Sequence, residues 1–228
     1  MEKNSAQSPV ASTHIGLSKG LVKSVENIGA EFDKGFQFAS GIRRGVSIFG
    51  SGRLPENNIH YQQAKELARL LAKEKFTVIT GGGPGIMEAA NHGAALAGGD
   101  SVGLNIKIPQ GQDYNAYVNK GMNFNYFFSR KVMFATASDY YVFFPGGFGT
   151  LDEFFEIVNL IHNRKINTPP LLIAVGRDYW QPLFDFLKVV VCKNHKAIGV
   201  RDMDMIHLAN SPEEAFKIIK KASKDAIY

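Results

Sequence analysis

The sequence has little cysteine and no long apolar run. Among its 228 residues only Cys192 is a cysteine, which excludes an intramolecular disulfide and any metal site built from several cysteines. Because Cys192 follows three consecutive valines, we expect it to be a buried structural thiol. No apolar run approaches the ~18–20 residues of a membrane span, and the polar stretch 1–14 lacks the apolar core of a signal peptide. These absences predict a cytoplasmic protein with no membrane partner.

A large excess of either charge is also missing. The chain has 26 Lys+Arg and 21 Asp+Glu, a formal net charge of +5, and no run of five like charges. The small positive excess favours anionic ligands. The densest basic cluster has helical spacing and is best explained as a solvated helix face: Lys217, Lys220, Lys221 and Lys224. Without a basic stripe interleaved with aromatic residues, we expect no nucleic-acid partner.

The remaining composition is that of a folded globular protein, with 45% hydrophobic and 21% charged residues. Residues 1–17 are polar and aperiodic, which predicts a disordered tail, and residues 18–228 have a length typical of a single domain. Within that domain, an amphipathic N-terminal helix is predicted over about 19–42, and it packs on the core or on another subunit. The prediction rests on apolar residues at mostly three- and four-residue spacing: Leu21, Val25, Ile28, Phe32, Phe36 and Phe38.

After this helix, short runs that are apolar on both faces alternate with helical patterns. The runs predict strands at 46–49, 76–80, 102–108, 140–144, 171–175 and 205–208. Helices are predicted at 59–73, 84–97, 130–137, 151–163, 180–191 and 212–221, and a loop at 110–126. This alternation predicts the α/β class, as a single Rossmann-like, doubly wound domain with a mostly parallel sheet and an extra N-terminal helix.

Three glycine-rich turns follow three of the predicted strands, at 50–53, 81–85 and 145–150. In a parallel sheet the carboxyl ends of the strands share one edge, so the three turns can meet at a single crevice. Glycine permits close backbone approach, and a helix that begins after each turn offers free N–H groups to an anion. The alternative is that each turn needs glycine for its geometry alone.

Two familiar phosphate motifs are excluded by their spacing. A Walker loop requires Gly-Lys-Ser/Thr, whereas the second turn continues as Gly83-Pro84-Gly85-Ile86. The dinucleotide pattern G-x-G-x-x-G also fails, because Ile86 and Asp152 stand where the third glycine belongs in the second and third turns. A monophosphate remains as the predicted ligand.

Charged residues accompany the third turn and an upstream helix. Thr150 and Glu153 match a capping box, but a carboxylate in the first turn of a helix that binds phosphate would also lie close to the ligand. Arg130 and Lys131 stand at the start of a predicted helix, where the helix dipole disfavours cations, so we expect a compensating anion nearby. The alternative for this basic pair is a solvated surface position.

These residues together resemble the LOG (Lonely Guy) family over roughly residues 46–187. The sequence PGGFGTLDE at 145–153 is similar to the family's PGGxGTxxE signature, and GGGPGIMEAAN at 81–91 resembles its second glycine motif. The Arg130-Lys131 pair stands where the family places its Arg-Lys pair. The resemblance implies an enzyme, a cytokinin riboside 5′-monophosphate phosphoribohydrolase, which cleaves the N-glycosidic bond of an adenosine monophosphate-type nucleotide to give free base and ribose 5-phosphate.

The resemblance also implies roles for individual residues. Arg130 and Glu153 are expected to be catalytic: Glu153 would stabilise an oxocarbenium-like sugar or orient water, and Arg130 would stabilise negative charge on the phosphate or on the departing base. The expected substrate-binding residues are Ser51, Gly82, Gly83, Lys131, Gly146, Gly147, Gly149 and Thr150. No metal or other cofactor is expected, and the family implies a homodimer or a larger homo-oligomer.

Some features depart from the short plant-type members of the family. This chain has Gly85-Ile86-Met87-Glu88 where those members carry Gly-Leu-Met-Gly, and Ser129 where they carry an acidic residue. With the long N-terminal helix, these features resemble the longer bacterial subgroup, which leaves open whether the base is adenine or an N6-prenylated adenine. Nothing in the sequence singles out a Schiff-base lysine, although members are often labelled lysine decarboxylases. The alternative function is a non-catalytic carrier of a phosphorylated ligand such as molybdenum cofactor.

Overall fold

A computed structural model describes residues 19–108, 113–166 and 171–225 of the chain. Its strands are β1 (Gly45–Phe49), β2 (Thr77–Thr80), β3 (Ser101–Ile106), β4 (Lys120–Phe124), β5 (Tyr140–Phe143), β6 (Leu171–Val175) and β7 (Ile206–Ala209). Its α-helices are α1 (Lys19–Ser40), α2 (Ile59–Lys73), α3 (Ile86–Leu96), α4 (Phe127–Ala137), α5 (Phe148–His162), α6 (Arg177–Phe186) and α7 (Pro212–Asp225). A π-helical segment, Leu187–Asn194, continues α6, and a 3-10 helix, Val200–Met205, precedes β7.

The strands form one parallel sheet in the order β4-β3-β2-β1-β5-β6-β7. The chain moves from β1 through β2 and β3 to β4 and then returns to β5 on the other side of β1. The carboxyl ends of β1 and β5 therefore form the switch point of the sheet, outside which doubly wound proteins bind their ligands. The predicted α/β, Rossmann-like fold with a parallel sheet is confirmed.

Helices cover both faces of the sheet because side chains alternate along each strand. In β1, Val46 and Ile48 pack with residues of α2, α3 and α7 on one face, whereas Phe49 belongs to the core under α1, α4, α5 and α6 on the other. The rings of Phe49 and Phe143 stack across β1 and β5 with centroids 4.9 Å apart. This packing fixes the strand ends from which the site is built.

One predicted loop contains a strand. We expected 110–126 to be a loop, but β4 pairs with β3 in parallel register, with Val102 opposite Lys120 and Ile106 opposite Phe124. The strand is at the edge of the sheet, and of its five residues only Phe124 is buried. Because an edge strand is largely exposed to solvent, β4 lacks the run of apolar residues that identified the buried strands.

Two helices that matter for the site begin three residues before their predicted starts. Helix α4 begins at Phe127 and α5 at Phe148, instead of at 130 and 151. Their first turns hold exposed aromatic residues: Phe127 is 58% exposed and Phe148 is 94% exposed. The first turn of α5 also contains Gly149, and because glycine disfavours a helix interior, the sequence favours a turn at this position.

The structure bears on other sequence predictions as well. Helix α1 spans Lys19–Ser40 where 19–42 was predicted, and the tail predicted at 1–17 lies outside the described residues. Cys192 is a free, buried thiol, as predicted. None of the helices in the described ranges is both long and apolar enough to cross a membrane.

Candidate active site

A cavity of about 900 Å³ opens at the switch point between β1 and β5. Residues from all three glycine-rich turns line it, together with side chains from α4, α5 and α6. The predicted site residues in its wall are Ser51, Arg130, Gly146, Gly147, Gly149, Thr150 and Glu153. The other residues in the wall are Phe49, Gly50, Gly52, Arg53, Leu54, Gly81, Met87, Ile106, Pro145, Phe148, Leu151 and Tyr179.

The third turn leads directly into α5, whose first residues face the cavity. Gly147 is the N-cap of this helix, and no side chain of the described residues forms a capping hydrogen bond there. The alternative capping-box interpretation of Thr150 and Glu153 is therefore wrong, because Thr150 lies inside the first helical turn. A side chain at Gly146 would collide with Thr150, whereas Gly147 and Gly149 have open space beside them. The turn thus presents free backbone N–H groups to an anion.

The first turn is joined to the other two through Ser51. Its backbone N–H donates to the Pro145 carbonyl at 3.0 Å, and its own carbonyl accepts from the Ile86 N–H at 3.0 Å. Its side-chain oxygen accepts from the Arg53 N–H at 3.1 Å. Gly85 has φ +69°, and a Cβ there would collide with the backbone of the first turn. The three turns therefore pack against one another at one edge of the sheet.

Gly82 and Gly83 lie in the second turn but are not among the residues that line the cavity. The connection between β3 and β4 covers them. The Gly82 carbonyl accepts from the Asn115 backbone N–H at 2.8 Å, and the Asn115 side chain donates to the carbonyls of Gly82 and Gly83 at 3.1 and 3.0 Å. The ring of Tyr114 occupies the space where a side chain at Gly82 would lie. These two glycines make room for another part of the same chain.

Arg130 extends from the first turn of α4 toward the ends of β2 and β3. Its Nε donates to the Leu104 carbonyl at 2.8 Å, and its Cζ lies 5.2 Å from the centroid of the Phe134 ring. A Cβ at Gly81 would collide with the guanidinium, so glycine is needed there to accommodate this side chain. Burial lowers the pKa of Arg130, and the neighbouring Glu153 carboxylate opposes that effect.

Glu153 lies one helical turn after Thr150 and faces the same cavity as Arg130. Burial raises the pKa of Glu153 from its ordinary 4.5 to about 7, although Arg130 and Lys131 oppose the increase. Such a carboxyl group holds or releases a proton near neutral pH, which suits general acid–base chemistry. A carboxyl group with a perturbed pKa and a guanidinium therefore share the cavity wall next to the uncapped start of α5.

Lys131 is not among the residues in the cavity wall. Its Nζ lies 2.8 Å from Asp152 Oδ2 and 2.8 Å from Glu156 Oε2, and its side chain is 18% exposed. It therefore links α4 to α5 beside the two candidate catalytic residues. The anions expected near the Arg130-Lys131 pair are these carboxylates of α5, so the alternative of a solvated surface pair is wrong.

Some wall residues were not among our predicted site residues. Gly81 and Arg53 belong to glycine turns that the sequence did single out, and Arg53 is exposed. Ile106 and Tyr179 come from β3 and α6, and the Tyr179 hydroxyl donates to the Gly146 carbonyl at 2.8 Å. No motif marks these last two positions, because only the folded chain brings them to the cavity.

The cavity wall does not fit pyridoxal phosphate. That cofactor binds covalently to a lysine as a Schiff base, and no lysine is found in the wall among the described residues. The nearby Lys131 is held by two carboxylates instead. Across the ranges that the structure describes, no cluster of three or more His, Cys, Asp or Glu side chains is arranged to hold a metal ion.

Comparison with solved structures supports the fold. A molybdenum cofactor binding protein from Rippkaea orientalis superimposes with a TM-score of 0.58 at 23% identity, over 78% of this chain and 94% of the other. The molybdenum cofactor carrier protein of Chlamydomonas reinhardtii gives a TM-score of 0.56 at 20% identity, over 78% and 97% of the two chains. Likeness at these identities shows a shared fold alone.

Sequence comparison shows the family. A cytokinin riboside 5′-monophosphate phosphoribohydrolase from Rhodococcoides fascians is 27% identical over 175 residues, which are 66% of this chain and 85% of the relative. A pyrimidine/purine nucleotide 5′-monophosphate nucleosidase from Escherichia coli K12 is 24% identical over 196 residues, which are 79% of this chain but 42% of the relative. The family model described as "Possible lysine decarboxylase" matches residues 87–219, more than half of the chain. This model describes the LOG family. With its glycine turns and its Arg130–Glu153 pair at one cavity, the chain belongs to the LOG family.

Proposed function

We propose that the protein hydrolyses the N-glycosidic bond of an adenosine-type nucleoside 5′-monophosphate and releases the free base and ribose 5-phosphate. One observation carries the proposal: Arg130 and Glu153 line the cavity into which the uncapped start of α5 opens. The names of the relatives from Rhodococcoides fascians and Escherichia coli, both of which act on nucleoside 5′-monophosphates, support the same substrate class.

The first turn of α5 is the proposed phosphate site. Its backbone N–H groups have no capping side chain from the described residues, and the positive end of the helix dipole attracts an anion. Gly147 and Gly149 leave space for a phosphate to approach the backbone closely, and the nearly buried Thr150 adds a hydroxyl group. Arg53, which is exposed at the rim, contributes positive charge.

With phosphate at this position, the ribose lies next to Glu153, one turn further along α5. Among the described residues, Glu153 is the one carboxyl group in the cavity wall. Asp152 and Glu156 lie outside the wall and are paired with Lys131. In its ionised form Glu153 stabilises the positive charge of an oxocarbenium-like sugar. It also accepts a proton from the water molecule whose oxygen forms the new bond to C1′.

Arg130 is assigned to the departing base. The phosphate site is built from turns that follow β1 and β5, whereas Arg130 contacts Gly81 after β2 and Leu104 in β3. The guanidinium therefore lies on the β2 and β3 side of the cavity, away from the proposed phosphate site. As the C1′–N bond breaks, its electron pair goes to the base, and a nearby cation stabilises that negative charge until the base takes up a proton.

The test is to incubate the purified protein with AMP and with isopentenyladenosine 5′-monophosphate and to measure free base by chromatography. We expect Glu153→Gln and Arg130→Ala each to lower the rate by about 10²–10⁴-fold. Glu213→Gln and Arg201→Ala are matched controls, because these exposed residues lie outside the cavity wall and remove the same charges. The better substrate of the two identifies the preferred base.

The competing function is a carrier that binds a phosphorylated ligand without turnover. A carrier has no need of a carboxyl group with a pKa near 7 facing a guanidinium. Tight binding of ribose 5-phosphate or AMP by a folded protein that releases no base from either nucleotide would refute the hydrolase and favour the carrier.

A further inference from the structure

Glu31 of α1 places a buried carboxylate against the start of α4. The residue is 6% exposed, although most of the first half of α1 is exposed to solvent. Burial alone would raise the pKa of this carboxyl group, but hydrogen bonds from Ser129, Asn125 and Tyr126 outweigh burial and hold the pKa below its ordinary value. The group is therefore an anion at neutral pH.

All four hydrogen bonds to this carboxylate come from the segment that opens α4. Oε2 accepts from the backbone N–H and from the side-chain amide of Asn125, both at 2.7 Å. Oε1 accepts from the Tyr126 N–H at 3.2 Å and from the Ser129 hydroxyl. Tyr126 is the N-cap of α4, and no described side chain forms a capping hydrogen bond there. Glu31 of α1 instead accepts from the backbone N–H groups of the N-cap residue and of Asn125 before it, although Glu31 and Asn125 are 94 residues apart in sequence.

Close packing fixes α1 on α4 beside this contact. A Cβ at Gly35 would come within 2.6 Å of the Met133 sulfur, so the helices approach as closely as glycine allows. One turn toward the carboxylate, the rings of Phe32 and Phe128 lie with their centroids 6.2 Å apart. The carboxylate is thus held in a defined position relative to the first turn of α4.

Arg130 belongs to that same turn. Its backbone N–H donates to the carbonyl of the N-cap residue Tyr126 at 3.3 Å, and it directly follows Ser129. We propose that Glu31 is a positioning residue that orients the first turn of α4 so that Arg130 faces Glu153; its catalytic consequence rests on the proposed function. The Lys131 contacts with α5 hold the other side of the same turn.

A carboxylate is required at this position because every partner donates a hydrogen bond. Glutamine has nearly the same shape, but its NH₂ group would face at least one N–H donor of Asn125 or Tyr126. One partly buried donor would then lose its acceptor, and the first turn would shift to relieve the contact. A displaced turn moves the guanidinium away from the reacting atoms, and small displacements of this kind lower turnover strongly.

The experiment compares Glu31→Gln with Glu26→Gln, which removes the same charge from an exposed position on α1. We expect Glu31→Gln to lower kcat about 10- to 100-fold while the KM for AMP changes less than threefold, because the phosphate site on α5 is untouched. Ser129→Ala removes a single donor and serves as a milder variant that tests the same contact if Glu31→Gln does not fold. Unchanged kcat in folded Glu31→Gln and Ser129→Ala would overturn the proposal.

A second measurement does not require turnover. The titration of Glu153, followed by carbon NMR, reports how close the Arg130 guanidinium lies to the Glu153 carboxyl group. The charged groups that act on Glu153 are Arg130 and Lys131 of α4 and Asp152 and Glu156 of α5. Arg130 lowers the pKa of Glu153, so displacing Arg130 moves the titration to higher pH. We expect this movement in Glu31→Gln and not in Glu26→Gln.

The two proposals fail in distinguishable ways. If the wild-type protein releases no base, the proposed function fails, and the Glu153 titration still decides whether Glu31 positions Arg130. If Glu31→Gln lowers the melting temperature but leaves the Glu153 titration and kcat at wild-type values, Glu31 stabilises the fold alone and the positioning role is refuted.

Discussion

Replacing Glu153 with glutamine is expected to stabilise the protein at alkaline pH, although it removes the proposed catalytic carboxylate. The pKa of this group is 4.5 in an ordinary setting and about 7 in the folded protein. The folded protein therefore binds the proton more tightly than the unfolded chain does. As a result, wild-type stability is greatest below the unfolded pKa and is lost as the pH rises through the folded pKa.

The magnitude follows from the two pKa values. A tenfold difference in proton affinity corresponds to about 1.4 kcal/mol. Between pH 5 and pH 8 the wild-type protein should therefore lose roughly 2–3 kcal/mol of unfolding free energy at this site, which Glu153→Gln does not lose. The assay is urea unfolding of both proteins at the two pH values, with Glu213→Gln as an exposed control on α7.

The quantity to compare is the difference in unfolding free energy between each variant and the wild type. It should grow by about 2–3 kcal/mol in favour of Glu153→Gln from pH 5 to pH 8 and stay constant for Glu213→Gln. If the Glu153→Gln difference is the same at both pH values, the carboxyl group is not held protonated by burial. The role assigned to its titration near neutral pH would then be refuted.

Three further changes test the packing of the glycine turns and the predicted assembly. Gly81→Ala places a Cβ against the Arg130 guanidinium and should lower kcat at least tenfold. The control Gly29→Ala lies in α1 with open space beside it and should leave kcat unchanged. Equal kcat values for the two variants would contradict the close approach of Gly81 and Arg130. Asn115→Ala removes the side-chain donor to the Gly83 carbonyl, while the Gly82 carbonyl keeps the Asn115 backbone N–H, and should cost about 1–3 kcal/mol in urea unfolding. An unchanged midpoint would argue against this contact. Light scattering should show a wild-type homodimer or larger homo-oligomer, and Phe155→Glu, which places a charge on an exposed part of α5, should lower its mass. A monomeric wild type would refute the predicted assembly.

Much of the fold could be predicted because its signals are local. Buried parallel strands are short and apolar on both faces, so β1, β2, β5 and β6 were found close to their observed bounds. The edge strand β4 was missed because solvent exposure removes that signal. The start of α5 was placed too late because Gly149, in its first turn, disfavours a helix and favours the glycine turn to which it was assigned.

The sequence by itself determined the class of site. Glycine turns after parallel strands meet at one edge of the sheet, and residues three apart in a helix lie on the same face, so Thr150 and Glu153 at one cavity follow from topology and helical spacing. Arg130 was assigned from the family motif, and its presence in the same wall agrees with that assignment.

Only the tertiary structure decided which neighbours act on these residues. Glu31 lies 94 residues from Asn125, and Asn115 lies more than 30 residues from the glycines it covers, so no local pattern links them. The pKa of Glu153 likewise depends on burial and on charges from another helix. Spacing along a chain fixes which side of an element a residue occupies, but desolvation and side-chain contacts exist only once separate elements have packed together.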